Sequence, residues 1–162
     1  MADYGKKFEN IIRETLEQAP NISVDRIYDQ TSGYFGSANI ADFQVYKLPY
    51  NYYLECKTTS DNTLPMKNIS EGQLTGMYEK SLIPGIVAGV IIWFYDKGIT
   101  VFIEVEEIHR LIASGYKSVN VKDLSGIKHI LLKGNKKRIF YDYDGEYFMD
   151  MLQKLGNEKW NQ

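Results

Sequence analysis

The chain has one cysteine, Cys56, and two histidines in 162 residues. A single thiol cannot close an internal disulfide, and so small a set of soft ligands excludes a zinc cluster. No apolar run approaches the roughly 18 residues of a membrane span. The longest, Gly85 to Tyr95, has the length of a buried strand. The opening Met-Ala-Asp-Tyr-Gly-Lys-Lys runs directly into a polar helix pattern, so no signal peptide is expected and a cytoplasmic protein with no membrane partner follows. Excess positive charge is missing as well. The formal net charge is −2, whereas many nucleic-acid binders are basic overall. A cluster of carboxylates awaiting a metal would itself add negative charge. Basic residues still bunch locally at Lys133, Lys136, Lys137 and Arg138, as either a solvated turn or a phosphate contact. Repeats, low-complexity tracts and linkers are lacking, and the length suits one domain, residues 1–162, with a real core.

What is present is a readable alternation of helix and strand patterns. Gly5 to Gln18 carries Phe8, Ile11, Ile12, Thr15 and Leu16 at helical spacing, and Pro20 and Asn21 end it. Glu9 falls at the edge of that apolar face, close to Ile12 and Leu16 on the helical wheel. It either pairs with Arg13, four residues on, or reaches into a cleft beside the core. Val24 to Tyr28 reads as a short strand and Gln30 to Ser37 as a turn-rich connection. Ala38 to Tyr46 alternates as a strand, Leu48 to Asn51 forms a turn, and Tyr52 to Lys57 is the next strand. Thr58 to Pro65 is polar and loop-like. Ser70-Glu71-Gly72-Gln73 then opens a helix with a capping box. Gly85 to Tyr95 is a central strand apolar on both faces, and Asp96-Lys97-Gly98 turns it into a hairpin with Ile99 to Glu104. Val105 to Ala113 is a short helix carrying His109, which reads as an exposed surface residue. One or two short strands and a helix near Tyr147 to Leu155 complete the chain.

The chemistry concentrates in Leu54-Glu55-Cys56-Lys57 and, upstream, Ile40-Ala41-Asp42-Phe43. A turn symmetric about Leu48 and Pro49 places Asp42 directly opposite Glu55. Opposed side chains in an antiparallel pair have Cβ atoms about 4.5–5.5 Å apart. Two carboxylates that close repel, which raises one pKa or demands a cation. Lys57 projects on the same face as Glu55, about 7 Å along the strand. A phosphodiester is a poor electrophile, so its cleavage needs cationic help and a positioned water. Mg²⁺ suits two carboxylates plus waters, and Mn²⁺ is expected to substitute. Asp42 and Glu55 are therefore candidate metal ligands, with the Cys56 carbonyl as a third. Lys57 is either the catalytic cation or a salt-bridge partner of Glu55 or Asp42.

This order of helix, strand, strand and Glu-x-Lys resembles the PD-(D/E)xK nuclease superfamily. The block from Leu54 through Leu64-Pro65-Met66-Lys67-Asn68-Ile69 to Gln73 resembles RecU-type Holliday junction resolvases more closely. Gly115-Tyr116-Lys117-Ser118 and Arg138-Ile139-Phe140-Tyr141 look like later segments of that family. The resemblance implies an α/β restriction-endonuclease-like nuclease fold, a mixed central sheet flanked by helices. It implies an Mg²⁺-dependent homodimer that resolves four-way DNA junctions by paired nicks. By the same resemblance, Asp42 and Glu55 are metal ligands, Lys57 is catalytic, and Gln73 joins the metal and water shell. Glu9 belongs near the site, and Lys67 joins Lys136, Lys137 and Arg138 as candidate DNA contacts. Three departures stand out. The family's Thr-Thr-Asp-Tyr is Ile40-Ala41-Asp42-Phe43, its His before the glutamine is Gly72, and its long basic stalk is reduced to Gln30 to Ile40 without lysine or arginine. A compact, short-stalked, virus-encoded relative would fit. Another nuclease of the same superfamily acting on duplex or flap DNA, or a non-catalytic DNA-binding relative, is the alternative.

Overall fold

Residues 3–28 and 39–161 are described by the computed structural model. In chain order they form α1 (Tyr4–Glu17), β1 (Ser23–Arg26), β2 (Phe43–Lys47), β3 (Tyr50–Thr59), β4 (Thr63–Pro65), α2 (Glu71–Ser81), β5 (Ile86–Phe94) and β6 (Ile99–Glu104). There follow α3 (Val105–Ala113), β7 (Ser118–Asn120), β8 (Ile130–Leu131), β9 (Gly134–Lys137), β10 (Phe140–Tyr143) and α4 (Gly145–Trp160). The architecture is mixed α/β. Six strands form one sheet in the order β1-β2-β3-β5-β6-β8, with β3 and β5 parallel and the other neighbours antiparallel. Among the described residues, no helix is long and apolar enough to cross a membrane.

The apolar run of β5 is explained by its position near the middle of the sheet, buried on both faces. Val87, Ile91 and Trp93 join one core with Phe8, Ile12 and Leu16 of α1 and Phe148 and Leu152 of α4. Ala88, Val90, Ile92 and Phe94 join the other with Met77 of α2 and Ile108 and Leu111 of α3. Gly89 interrupts the run because a Cβ there would stand 2.6 Å from the Phe102 ring on β6.

The β2–β3 register is the expected one, with Phe43 opposite Leu54, Gln44 opposite Tyr53 and Val45 opposite Tyr52. The strand over Ala38 to Tyr46 is shorter than its alternation suggests, because β2 begins at Phe43. The Asp42 carbonyl accepts from Ile27 N–H at 2.8 Å, and its carboxylate accepts from Cys56 N–H at 2.9 Å. Side-chain bonding to backbone thus takes the place of the next ladder rung. Ile40 is held against α2, where a Cβ on Gly76 would collide with it. The turn-rich connection Gln30 to Ser37 lies outside the described residues, as does most of the shortened stalk.

Two further expectations are corrected. Thr58 to Pro65 is not wholly loop: β3 runs on to Thr59, and β4 pairs antiparallel with β7 in a small separate sheet. His109 is half-buried rather than exposed, stacked on Tyr78 with ring centroids 4.1 Å apart. An apolar ring face on α2 is available to it, and only tertiary packing of α3 on α2 reveals that.

Candidate active site

The site forms where the sheet is cut short. β2 begins at Phe43, while the antiparallel β3 continues past Leu54 to Thr59. Beyond Leu54, that edge of β3 lacks a strand partner among the described residues, leaving a notch. α1 lies on one face of the sheet and α2 on the other, and each sends a polar side chain into the notch.

Asp42 stands at the mouth of β2. Its Oδ2 accepts from Cys56 N–H at 2.9 Å and its Oδ1 from Arg26 Nη1 at 3.2 Å. Arg26 reaches on through Nη2 to Glu9 Oε2 at 2.7 Å, so one guanidinium joins two carboxylates. Beside it Glu55, turned toward α2, is almost wholly buried, with 3% of its surface exposed. Its Oε2 lies 3.0 Å from Lys57 Nζ and accepts from Gln73 Nε2 at 2.8 Å. Its Oε1 is buried and has no hydrogen-bond partner.

Gln73 has two tasks. Its backbone N–H donates to Ser70 Oγ at 3.1 Å and its Oε1 accepts from Ser70 N–H at 3.2 Å, completing the capping box. The amide nitrogen is left free to bond Glu55. Capping and site contact are therefore complementary uses of one side chain.

Burial, then the Asp42 charge beside it, push Glu55 up from 4.5 to about 7, against the pull of Lys57. Glu9 is raised as well, first by burial and then by Asp42, with Arg26 acting against the rise. Burial holds the Cys56 thiol well above its ordinary value. It stays protonated among apolar neighbours on the α1 face, so this residue offers the site only its backbone. An N–H and C=O of one strand residue point to the same edge, so the Cys56 carbonyl faces the notch into which its N–H points.

Glu9, Asp42, Glu55, Cys56, Lys57 and Gln73 thus converge. Arg26 completes the group and escaped the sequence reading. Glu9 is paired with Arg26, not with Arg13 four residues on. The chain carries a faint signal for this, a lone arginine on a short strand, but which carboxylate it meets depends on β1 pairing with β2. Lys136, Lys137 and Arg138 lie apart on the exposed β9–β10 hairpin, with Lys137 paired to Asp142 at 2.9 Å. Lys67 is exposed on the rim of an apolar groove with Leu74, Ile112 and Tyr116.

Among the described residues, no three His, Cys, Asp or Glu side chains are grouped to hold a metal ion. A cation here would draw on two carboxylates, a carbonyl and water, a hard-oxygen set of the kind Mg²⁺ accepts. The unpartnered Glu55 Oε1 fits that use, since a buried carboxylate oxygen without a donor is costly.

No family model and no curated protein matches the chain. Among solved structures it is similar to the Holliday junction resolvase Hjc of the archaeal hyperthermophile Archaeoglobus fulgidus, with a TM-score of 0.49 and 16% identity over 64% of this chain and 78% of that one.

Proposed function

We propose that this chain is a divalent-metal-dependent endonuclease that resolves four-way DNA junctions as a homodimer. The observation that carries the proposal is the buried Glu55 carboxylate. It lies beside the charge of Asp42, with one oxygen held by Lys57 and Gln73 and the other unpartnered. A buried carboxylate oxygen without a donor is costly, and a cation bound there would satisfy it.

In this reading Asp42, Glu55 and the Cys56 carbonyl hold the ion, Mg²⁺ or Mn²⁺. The bound ion would polarise a phosphoryl oxygen and make its water more acidic. Lys57, fixed through Glu55, presents its ammonium to the attacking water and to the charge that grows on the phosphate. Gln73 holds Glu55 in place and keeps an amide beside the water shell. Glu9 supports Asp42 through Arg26. The exposed Lys136, Lys137 and Arg138 supply phosphate contacts away from the chemistry, with Lys67 on another face of the chain. Two nicks on opposed strands need two sites at fixed spacing, which a twofold dimer provides.

The resemblance around Glu55-x-Lys57 and Gln73 supports the junction as substrate. The short, uncharged stretch Gln30 to Ile40 favours a second reading, a nuclease of the same superfamily acting on duplex or flap DNA. Labelled four-way junction, linear duplex, flap and single strand, each incubated with Mg²⁺ or EDTA, separate the two. Paired symmetric nicks in the junction alone are expected, and Lys57→Ala is expected to abolish them. Equal cutting of linear duplex would overturn the junction assignment. Unchanged cutting by Lys57→Ala would show that the activity arises elsewhere.

A further inference from the structure

Arg26 is fastened more firmly than a mobile counter-ion would be. Besides Asp42 Oδ1, its Nη1 donates to two backbone carbonyls, Ile27 O at 2.8 Å and Asp42 O at 3.0 Å. Nη2 is committed to Glu9. The guanidinium carbon also lies 5.6 Å from the Phe43 ring and 5.7 Å from the Tyr28 ring. The two carbonyl bonds do not depend on the charge state of any carboxylate. The planar fork holds its acceptors in a fixed geometry, which a rotatable ammonium does not.

The charges around the notch are Glu9, Asp42 and Glu55 against Arg26 and Lys57. Fully ionised, they leave one negative charge uncompensated. One divalent ion turns that into a single net positive charge. A second would have to enter beside a fixed guanidinium, using carboxylate oxygens that Arg26 already occupies. Like charges a few ångströms apart in a partly buried site repel strongly.

We propose that Arg26 is a resident cation standing where a second metal would otherwise be held between Glu9 and Asp42, so that each chain takes up one divalent ion and not two. The inference rests on the metal-dependent reading above. It adds that the ion is held on the Glu55 side of Asp42, while the Glu9 side is closed by the protein itself.

Binding of Mn²⁺ to the DNA-free protein at neutral pH tests it, read as free Mn²⁺ by paramagnetic resonance and by calorimetry. Wild type is expected to bind one Mn²⁺ per chain, lost in Asp42→Asn. Arg26→Met keeps the length and apolar contact of the stem but removes the fork. It is expected to bind a second, weaker ion that disappears when Glu9→Gln is added, and to bind the first about tenfold more tightly. Arg26→Lys, which keeps the charge, is expected to remain at one ion. Two Asp42-dependent ions in wild type would overturn the inference while leaving the metal site intact. An unchanged stoichiometry in folded Arg26→Met would do the same. Absence of Asp42-dependent binding in every protein would sink the metal reading and this inference together. If Arg26→Met does not fold, the wild-type stoichiometry decides alone.

Discussion

Replacing Glu55 with glutamine is expected to stabilise the metal-free protein above neutral pH. The side chain keeps its shape and loses its charge. Glu55 is driven from 4.5 to about 7 by burial and by Asp42. A carboxyl so displaced resists ionisation by about 3 kcal/mol. Between those two values the folded protein retains a proton that the unfolded chain has released, so the Glu55 contribution to stability falls as pH rises through this window. Above pH 7 the whole penalty is present, and below 4.5 it is gone. The substitution also weakens what Lys57 and Gln73 gain from Glu55, which takes back about 1–2 kcal/mol. A net gain of about 1–2 kcal/mol at pH 8.5 should remain, shifting the urea midpoint upward by about 0.5–1 M. Near pH 5 the variant should have no advantage. Urea unfolding in EDTA across that range measures the difference. Saturating Mg²⁺ should invert the ranking, since wild type gains about 2–3 kcal/mol at 100 times its Kd and the variant much less. A variant no more stable than wild type at pH 8.5 in EDTA would refute the reasoning, as would a difference that ignores pH.

Other perturbations separate roles that the geometry combines. Gln73→Glu keeps a residue suited to the capping box but sets a second carboxylate against Glu55; α2 should persist by circular dichroism while cleavage falls at least tenfold. Lys57→Met should lower cleavage by about 10²–10³-fold with calorimetric Mn²⁺ binding retained or tightened, because a positive charge leaves the ion's neighbourhood. Replacing Lys136, Lys137 and Arg138 together by alanine should weaken DNA binding at low salt. It should also flatten the dependence of log K on log salt by about 1–3, read by fluorescence anisotropy. Gly89→Ala should destabilise the fold by about 1–3 kcal/mol through collision with the Ile103 carbonyl and the Phe102 ring, seen in thermal unfolding with the site residues untouched.

Local pattern was enough for much of this structure. The β2–β3 register follows from the turn at Leu48 and Pro49, and that alone brings Asp42 to Glu55. β5 was legible because a run apolar on both faces has few places to go. The capping box gave the start of α2 and hence the position of Gln73. The failures share a cause, which is dependence on partners distant in the chain. Arg26 is one charged residue on a four-residue strand until β1 pairs with β2 and α1 lies across them. β4 is three residues long, and only β7, more than fifty residues later, makes it a strand. His109 has no visible reason for burial until α3 brings it onto Tyr78.

The parallel pairing of β3 with β5 bears on when the chain becomes able to act. Every side chain in the notch has emerged once Gln73 has been synthesised. Yet β3, which carries Glu55 and Lys57, is held on its other side by residues 86–94, and α2 lies against β5 while presenting Gln73 to Glu55. A parallel neighbour reached through a crossover is among the slower contacts to form. The carboxylates and the lysine should therefore adopt their working arrangement only after a strand that contributes nothing to the chemistry has docked. A nascent or partly unfolded chain would carry the complete motif and remain inert.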